Sequence, residues 1–567
     1  MYIERVPNRT SRPALLLREA WREGKTIRKR TLANLTDWPA AKVEAFRRLL
    51  RGEAGSAPEA VFAIERSVPH GHVAAILGTV RRLGLESLLA AKRCRARDLV
   101  LALLVERLLH PCSKLATTRL WDTTTLAEEL GVQAATEDEM YAAMDWLAAR
   151  QARIEQKLAA RHLAEGDRVF YDVSSSFYEG RTCPLAQFGH DRDGKHGLPV
   201  IVYGVLADAE GRPVAVQVYP GHTGDPTTVP DQVATLQERF GLSRVVLVGD
   251  RGMLTETQLA TLRAFPGVGW ISALRGPAIR DLGERGTVQP SLFDARNLAE
   301  IRAPEYPGER LIACFNPLLA EERRRKRQAL LQATERDLAK ITREVARRRK
   351  TPLTAAEIGV KVGRVRNRFK VGKHFALTIA DGEFRWVRQE DSIRRESALD
   401  GIYVIRTSEP AAHLSADDAV RTYKRLALVE RVFRCLKGSE LRVRPIYHRI
   451  ETRVRAHVFL CLLAYYVEWH MRQALRPLLF DDETLAQDRQ ARDPVAPAQP
   501  SATANQKKAV RRTADGLPVH SFETLLLHLG TQCRITCRMQ GDPTAPRIQQ
   551  LTEPTPLQAR VMALLGG

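Results

Sequence analysis

Between residues 167 and 275 the order of elements admits few folds. RVFYDVSS (168–175) is an apolar run ending in small polar residues. LPVIVYGVLAD (198–208) and PVAVQVYPG (213–221) follow, joined by a tight turn at Glu210-Gly211, and the three read as an antiparallel set. A helix at about 228–240 leads to SRVVLVGD (243–250), whose near-continuous branched apolar residues mark a buried strand. A second helix, about 254–264, leads to the strand GWISALR (269–275). Three strands, then helix–strand–helix–strand, is the order of a mixed α/β layer.

The rest of the chain is arranged around that layer. Residues 12–36 pattern as a hairpin, RPALLLREAW and TIRKRTLANL with REGK as the turn. Residues 38–165 are mostly helical by period, as in DEMYAAMDWLAARQARIEQKLAARHL. Within them, AKRCRARDLVLALLVERLLHPCSKLATTRLW puts two helices around a Pro-containing turn, a pattern shared by a DNA-reading helix-turn-helix and a plain bundle. Residues 276–398 interrupt the layer with a long charged helix at 321–350, in which Leu331, Thr334, Leu338, Ile341 and Val345 fall at heptad-like spacing. Two heptads are too few for a coiled coil, so an arm or helical hairpin is expected, followed by short strands in HFALTIADGEFRWVRQ. GIYVIRTS (401–408) resumes the strand pattern. Residues 483–517, polar and rich in Ala, Pro, Gln and Asp, read as a linker before a short helical tail. The expected division is a hairpin-and-helix region (1–66), a helical DNA-binding region (67–166), a core in two parts (167–275 and 399–480), an insertion (276–398) and a linker with tail (481–567).

Asp172 sits late in the first strand and Asp250 ends the fourth, followed by Gly252, which permits a sharp turn. If these strands are neighbours, both carboxylates emerge side by side at one edge of the sheet. Taken singly, Asp172 also suits a strand-end turn, and Asp250 an N-cap for the next helix. A third acid lies in RTYKRLALVERVFRCLKGSE (421–440). Ser415 with Asp418 starts one helix near 416, and Gly438 supplies its C-cap. Tyr423, Glu430 and Lys437 recur every seven residues and so share a stripe, with Arg434 one turn from Glu430; Arg425 stands beside Leu426. An ordinary solvated face with a Glu–Arg pair has the same pattern.

The excess of 88 Lys and Arg over 66 Asp and Glu, a net +22, favours a polyanionic partner, because each neutralised phosphate releases counterions. A lone carboxylate on a basic stripe then has a chemical reason. Phosphodiester cleavage and strand transfer by two Mg²⁺ ions need three or four hard oxygen ligands, while the surrounding cations let DNA approach. Lys437 and Tyr423 would hold the strand near the scissile phosphate. No run of eighteen apolar residues exists and the N-terminus lacks a signal-peptide pattern, so a cytoplasmic protein with no membrane span is expected. The eight cysteines are scattered, and the lone C-x3-C of Cys533 and Cys537 has no second ligand pair for zinc.

These residues resemble a bacterial insertion-sequence transposase of the DDE type, in the IS-four superfamily, whose acid helix carries Y-x2-R-x3-E-x6-K. Here Tyr423, Glu430 and Lys437 match and Leu426 stands at the arginine position. YDVSS (171–175) and GDRGM (249–253) resemble the strand-end acids, PGHTGDPTT (220–228) the loop after the third strand, and RPIYHRIETRVRAHVFLCLLAYYV (444–467) the following helix. VERVFRCLK points to the branch typified by element 1634, over roughly 165–475. The resemblance implies an RNase H-like mixed-sheet core with an insertion domain and a mostly helical N-terminal region. It implies catalytic and metal-binding roles for Asp172, Asp250 and Glu430, and cut-and-paste DNA transposition. It also implies two Mg²⁺ ions with Mn²⁺ as a substitute, terminal inverted repeats and target DNA as partners, a homodimer in the synaptic complex, and a nucleoid-associated location.

GHDRDGKH (189–196) has G-x4-G-K but continues with His196 and precedes a strand, so it lacks the parts of an ATP-binding loop. It reads as a mobile loop at the active-site edge, with Lys195 toward DNA. His222 and Asp225 fit a hydrogen-bonded turn better than the metal edge, and His448 and His457 a structural or phosphate-contacting role. Two other activities share the same residues: an RNase H-like nuclease that cuts without joining, and an inactive DNA-binding protein.

Overall fold

A computed structural model describes residues 1–8, 12–23, 26–52, 62–539 and 547–566. The N-terminal strands β1 (Tyr2–Val6), β2 (Ala14–Glu23) and β3 (Thr26–Asn34) form an antiparallel sheet around Leu17, Ala33, Leu35 and Phe46. The β2–β3 hairpin stands where its alternation predicts, and the last two residues of its turn, Gly24 and Lys25, lie outside the described residues. β4 (Phe62–Pro69) leads into helices spanning residues 71–162. One of these, Arg95–Leu109, is buried from Arg97 to Leu108 and packs against helices Glu137–Ala148 and Glu451–Leu475. That is bundle packing for this helix, while the helix after the turn, Lys114–Leu120, keeps Leu115 and Arg119 exposed.

The mixed layer predicted from the strand order is present and larger than expected. β5 (Arg168–Phe177), β6 (Val200–Ala207) and β7 (Pro213–Pro220) are antiparallel neighbours; β8 (Val245–Val248) and β9 (Val268–Ala273) add on β5's other side in parallel. Gly211 turns β6 into β7 with φ +82°, a conformation open to glycine. β10 (Leu298–Ile301) and β11 (Arg310–Phe315) come from the segment expected to be an insertion, yet they extend this sheet. RLIACF is apolar enough for both faces of a covered sheet, and its central four residues are buried.

Only the stretch after β11 departs from the layer. Helix Pro317–Arg347 buries the heptad-spaced residues against helix Ala355–Phe369, and β12 (Phe375–Ala380) and β13 (Glu383–Arg388) complete that small core. The helical hairpin is thus as expected. β14 (Ile402–Thr407) returns to the sheet between β11 and β9, giving the order β10-β11-β14-β9-β8-β5-β6-β7.

The C-terminal region is more structured than its composition suggests. Helices Leu485–Ala491 and Ala502–Val510 lie in the stretch read as a linker. Lys507 secures it, its buried ammonium paired with Glu483 and donating to the carbonyls of Arg476 and Leu479. β15 (Cys533–Met539) then pairs with both β16 (Ile548–Leu551) and β4, so the tail closes onto the start of the helical bundle. Among the described residues no helix is long and apolar enough to cross a membrane, and the eight cysteines are free thiols.

Candidate active site

The β5–β8 register pairs Arg168 with Val246 and Phe170 with Val248. Two residues further along each chain stand Asp172, half-buried within β5, and Asp250, exposed just past β8. Adjoining strands lie about 4.8 Å apart, so the two acids emerge at one level of the sheet. Asp250 does not cap the next helix, which begins at Glu256 after Thr255. Its Oδ1 instead accepts the amides of Gly252 (2.9 Å) and Met253 (2.7 Å), tying down the turn behind the strand. Glycine at 252 leaves room for that carboxylate, since a Cβ there would lie 3.3 and 3.4 Å from its oxygens. Arg275 Nε and Nη2 hold the same turn by donating to the carbonyls of Arg251 (3.0 Å) and Gly252 (3.1 Å).

Glu430 reaches the site from helix Leu426–Lys437, whose buried face (Leu426, Val429, Val432, Phe433, Leu436) includes residues packed on β5. The single helix expected from 416 to 437 is two: Ala416–Lys424, capped by Ser415 Oγ accepting the Asp418 amide, and Leu426–Lys437, with Arg425 at the break. Gly438 ends the second helix in an extended conformation. Its glycine identity matters for closeness, because a Cβ would meet the Arg434 carbonyl at 2.8 Å.

Electrostatics ties these elements together. Asp172 is pushed up to about 7, first by burial and then by the charges of Asp250 and Glu430, against the opposing Val173 amide and Arg192. Tyr423 is pushed up to about 12, by burial first and then by Asp250 and Glu430 as well. Four side chains, from the middle of β5, the turn just past β8 and two helices, therefore share one field. The three carboxylates are not drawn tightly together. Among the described residues, the one group of three ligating side chains with ligand atoms within 4.8 Å of one another is Cys435, Glu440 and Glu468. Arg472 fills that group, donating to Glu468 (2.6 Å) and Glu440 (2.5 Å), which makes it an ion-pair cluster.

The other predicted residues divide. Arg434 and Lys195 are exposed, the Lys195 ammonium 5.8 Å from the Phe177 ring. Arg425 lines a neighbouring basic cavity with Arg431 and Arg489. Leu426, at the signature arginine position, is buried in the core. Lys437 is 13% exposed and its ammonium donates to Asp193 (3.1 Å), which also contacts Arg444 and accepts the Phe177 amide (3.1 Å). The loop at 189–196, expected to be mobile, is thereby pinned to β5 and to the end of the acid helix. Burial works to raise the Asp193 carboxyl, but Arg444 and Lys437 outweigh it and hold it below its usual range. Arg192 in the same loop pairs with Asp225, and His222 with Gln187, so both residues of the Gly-rich turn are hydrogen-bonded there. Arg192, Asp193 and Arg444 were not singled out from the sequence. The alternating charges of HDRDGK were the available signal, but their partners lie far along the chain.

A family model described as the transposase DDE domain matches residues 181–467, half of the chain, taking in Asp250 and Glu430 and beginning just after β5. A second, the IS1634 family transposase N-terminal domain, matches residues 3–61. No curated protein matches the chain. Among solved structures, a piggyBac transposase synaptic complex with hairpin DNA is similar at 11% identity and a TM-score of 0.34, over 70% of this chain and 72% of that one. On the two family matches, the chain belongs to the DDE transposases, in the IS1634 family.

Proposed function

We propose that Asp172, Asp250 and Glu430 are the catalytic acids of this DNA transposase, set on an RNase H-like core. What supports the core is the run β7-β6-β5-β8-β9, three antiparallel strands followed by two parallel to the first. The observation that carries the acid assignment is Asp172, raised to about 7 by burial and by the charges of both other acids. Members of the family depend on divalent metal in general, and the donor set here fits one. Three carboxylates in a shared field, opposed at Asp172 by an Arg192 that also pairs with Asp225, suit a hard cation with oxygen ligands. Two Mg²⁺ ions held there, with Mn²⁺ as a substitute, would activate the attacking water or 3′-hydroxyl and stabilise the leaving oxygen.

The chain's own groups do the rest. Asp172, in the middle of β5 rather than late in the strand as its sequence suggests, and Asp250, just past β8, fix two positions on the sheet, and Glu430 closes the site from the helix. Tyr423 keeps its proton throughout the working range and so can donate to a phosphate oxygen. Asp193 holds Lys437, Arg444 and the 189–196 loop in place, and the loop's Arg192 faces Asp172. Lys195, Arg434 and, from the adjoining cavity, Arg425 contact the backbone of element ends bearing terminal inverted repeats, and then target DNA. The helical region at 67–166 contributes to end recognition, and two copies act together in a synaptic complex. The test is cleavage and joining of a labelled element end with Mg²⁺, comparing wild type with Asp172→Asn. Undiminished cleavage by that variant would remove Asp172 from the site.

A further inference from the structure

A second polar cavity, of about 110 Å³, lies between the turn after helix Arg95–Leu109 and the segment that follows the acid helix. Its lining holds Arg107, Lys114, Arg442, Arg444, His448 and His457 and no carboxylate. Arg444 is compensated by Asp193, burial keeps His448 and His457 neutral, and Arg107, Lys114 and Arg442 have no carboxylate partner among the described residues. Lys114 is 3% exposed and has no hydrogen bond or ion pair among the described residues. Arg107 is 5% exposed; two of its nitrogens reach only the carbonyls of Leu441 (3.5 Å) and Cys112 (3.3 Å), and its Nε has no partner. His457 gives Nε2 to the Val443 carbonyl (2.9 Å) and leaves Nδ1 buried without a partner.

Buried cations without an anion are costly, and proteins rarely retain them without a compensating charge. Burial first, and then the charge of Arg107, push the Lys114 ammonium down to about 7. Arg442, at the exposed rim, adopts φ +43°, a strained backbone conformation of the kind found at ligand clamps. A cavity of about 110 Å³ far exceeds the roughly 10–15 Å³ that one water needs.

We infer that this cavity is an anion site that takes one phosphate group, gripped by Lys114, Arg107 and Arg442. The group comes from a DNA phosphodiester or from free inorganic phosphate. The inference does not depend on the assignment of the three acids. Arg444 lines the cavity and shares Asp193 with Lys437, so a chain of ion pairs links the cavity wall to the loop beside the acid helix.

The experiment uses the full-length protein, wild type and Lys114→Met, in two arms. The first compares melting temperature in inorganic phosphate and in chloride at equal ionic strength. The second measures affinity for an element-end duplex as a function of salt. The wild type is expected to melt higher in phosphate, and Lys114→Met to lose that gain while melting no lower than wild type in chloride. If DNA is the source, Lys114→Met also shows a salt slope shallower by about one; loss confined to the phosphate arm assigns the site to free phosphate. Arg442→Asn, which tolerates the same backbone conformation at the surface, gives the same readouts if Lys114→Met does not fold. A wild type indifferent to phosphate, together with an unchanged salt slope in the variants, overturns the inference.

Discussion

Asp172 and Asp250 stand at one level of two adjoining parallel strands, because the β5–β8 register that pairs Phe170 with Val248 carries both chains to an acid two residues later. Two carboxylates so placed repel each other, and the more buried one is the one driven toward neutrality. Glu430 adds to that repulsion from a helix far along the sequence. Proteins hold like charges together at functional sites, where a cation or proton resolves the strain.

Glu430→Gln keeps the shape of the acid and removes its charge. Metal-dependent cleavage of an element end is expected to fall by more than the roughly 10–100-fold typical of losing an outer-shell partner, with DNA binding retained. Side-by-side cleavage and gel-shift titrations check this; normal cleavage would show the third acid is elsewhere.

The Asp172 carboxyl is higher in the folded protein, about 7, than its ordinary 3.8. Between those values the folded state holds more protons than the unfolded one, so metal-free stability declines as pH rises from about 4 to 7. Asp172→Asn should flatten that portion of the melting-temperature profile, and so should millimolar Mg²⁺, whose binding displaces the proton. Parallel profiles for wild type and variant would contradict this.

Asp193 is 3% exposed and faces both Lys437 and Arg444. Removing one partner of a buried ion pair costs about 3–5 kcal/mol, so Asp193→Ala should lower the urea midpoint and speed hydrogen exchange across residues 189–196. Unchanged exchange in that loop would mean the contacts do not restrain it.

Lys437→Ala should weaken DNA-end binding and reduce the salt slope by about one if the ammonium exchanges Asp193 for a phosphate. An unchanged slope confines Lys437 to its bond with Asp193.

Leu426 occupies the signature arginine position but is 8% exposed in the core. Leu426→Arg would bury an unpaired charge and is expected to destabilise by several kcal/mol without raising activity. A variant as stable as wild type, by thermal melting, would show that the side chain escapes to solvent.

Much of this was readable from residue order alone. The strand sequence from β5 to β9, the helical hairpin after β11 and the Ser415 cap all depend on local pattern: period, turn residues and capping residues. Local pattern misled where chain neighbours were not the deciding partners. RLIACF looked like part of an insertion because nothing near it in sequence shows that β14 will lie beside it. CRITCRM looked like a tail because its partner, β4, is more than 400 residues earlier. The helix through Arg425 looked continuous because periodicity does not register a break that keeps the apolar face in place.

The sequence by itself determined which chemistry was available: acids on neighbouring elements of a predicted mixed sheet and one on a basic helix, in a strongly basic chain. Tertiary structure decided how the charges are apportioned. Folding spends Lys437 and Arg444 on Asp193, seats Leu426 in the core and leaves Lys114 buried beside Arg107 without an acid. The reason is physical: a charge's partner and its solvation are set by what packs around it in space, and neither is encoded in the spacing of its neighbours along the chain.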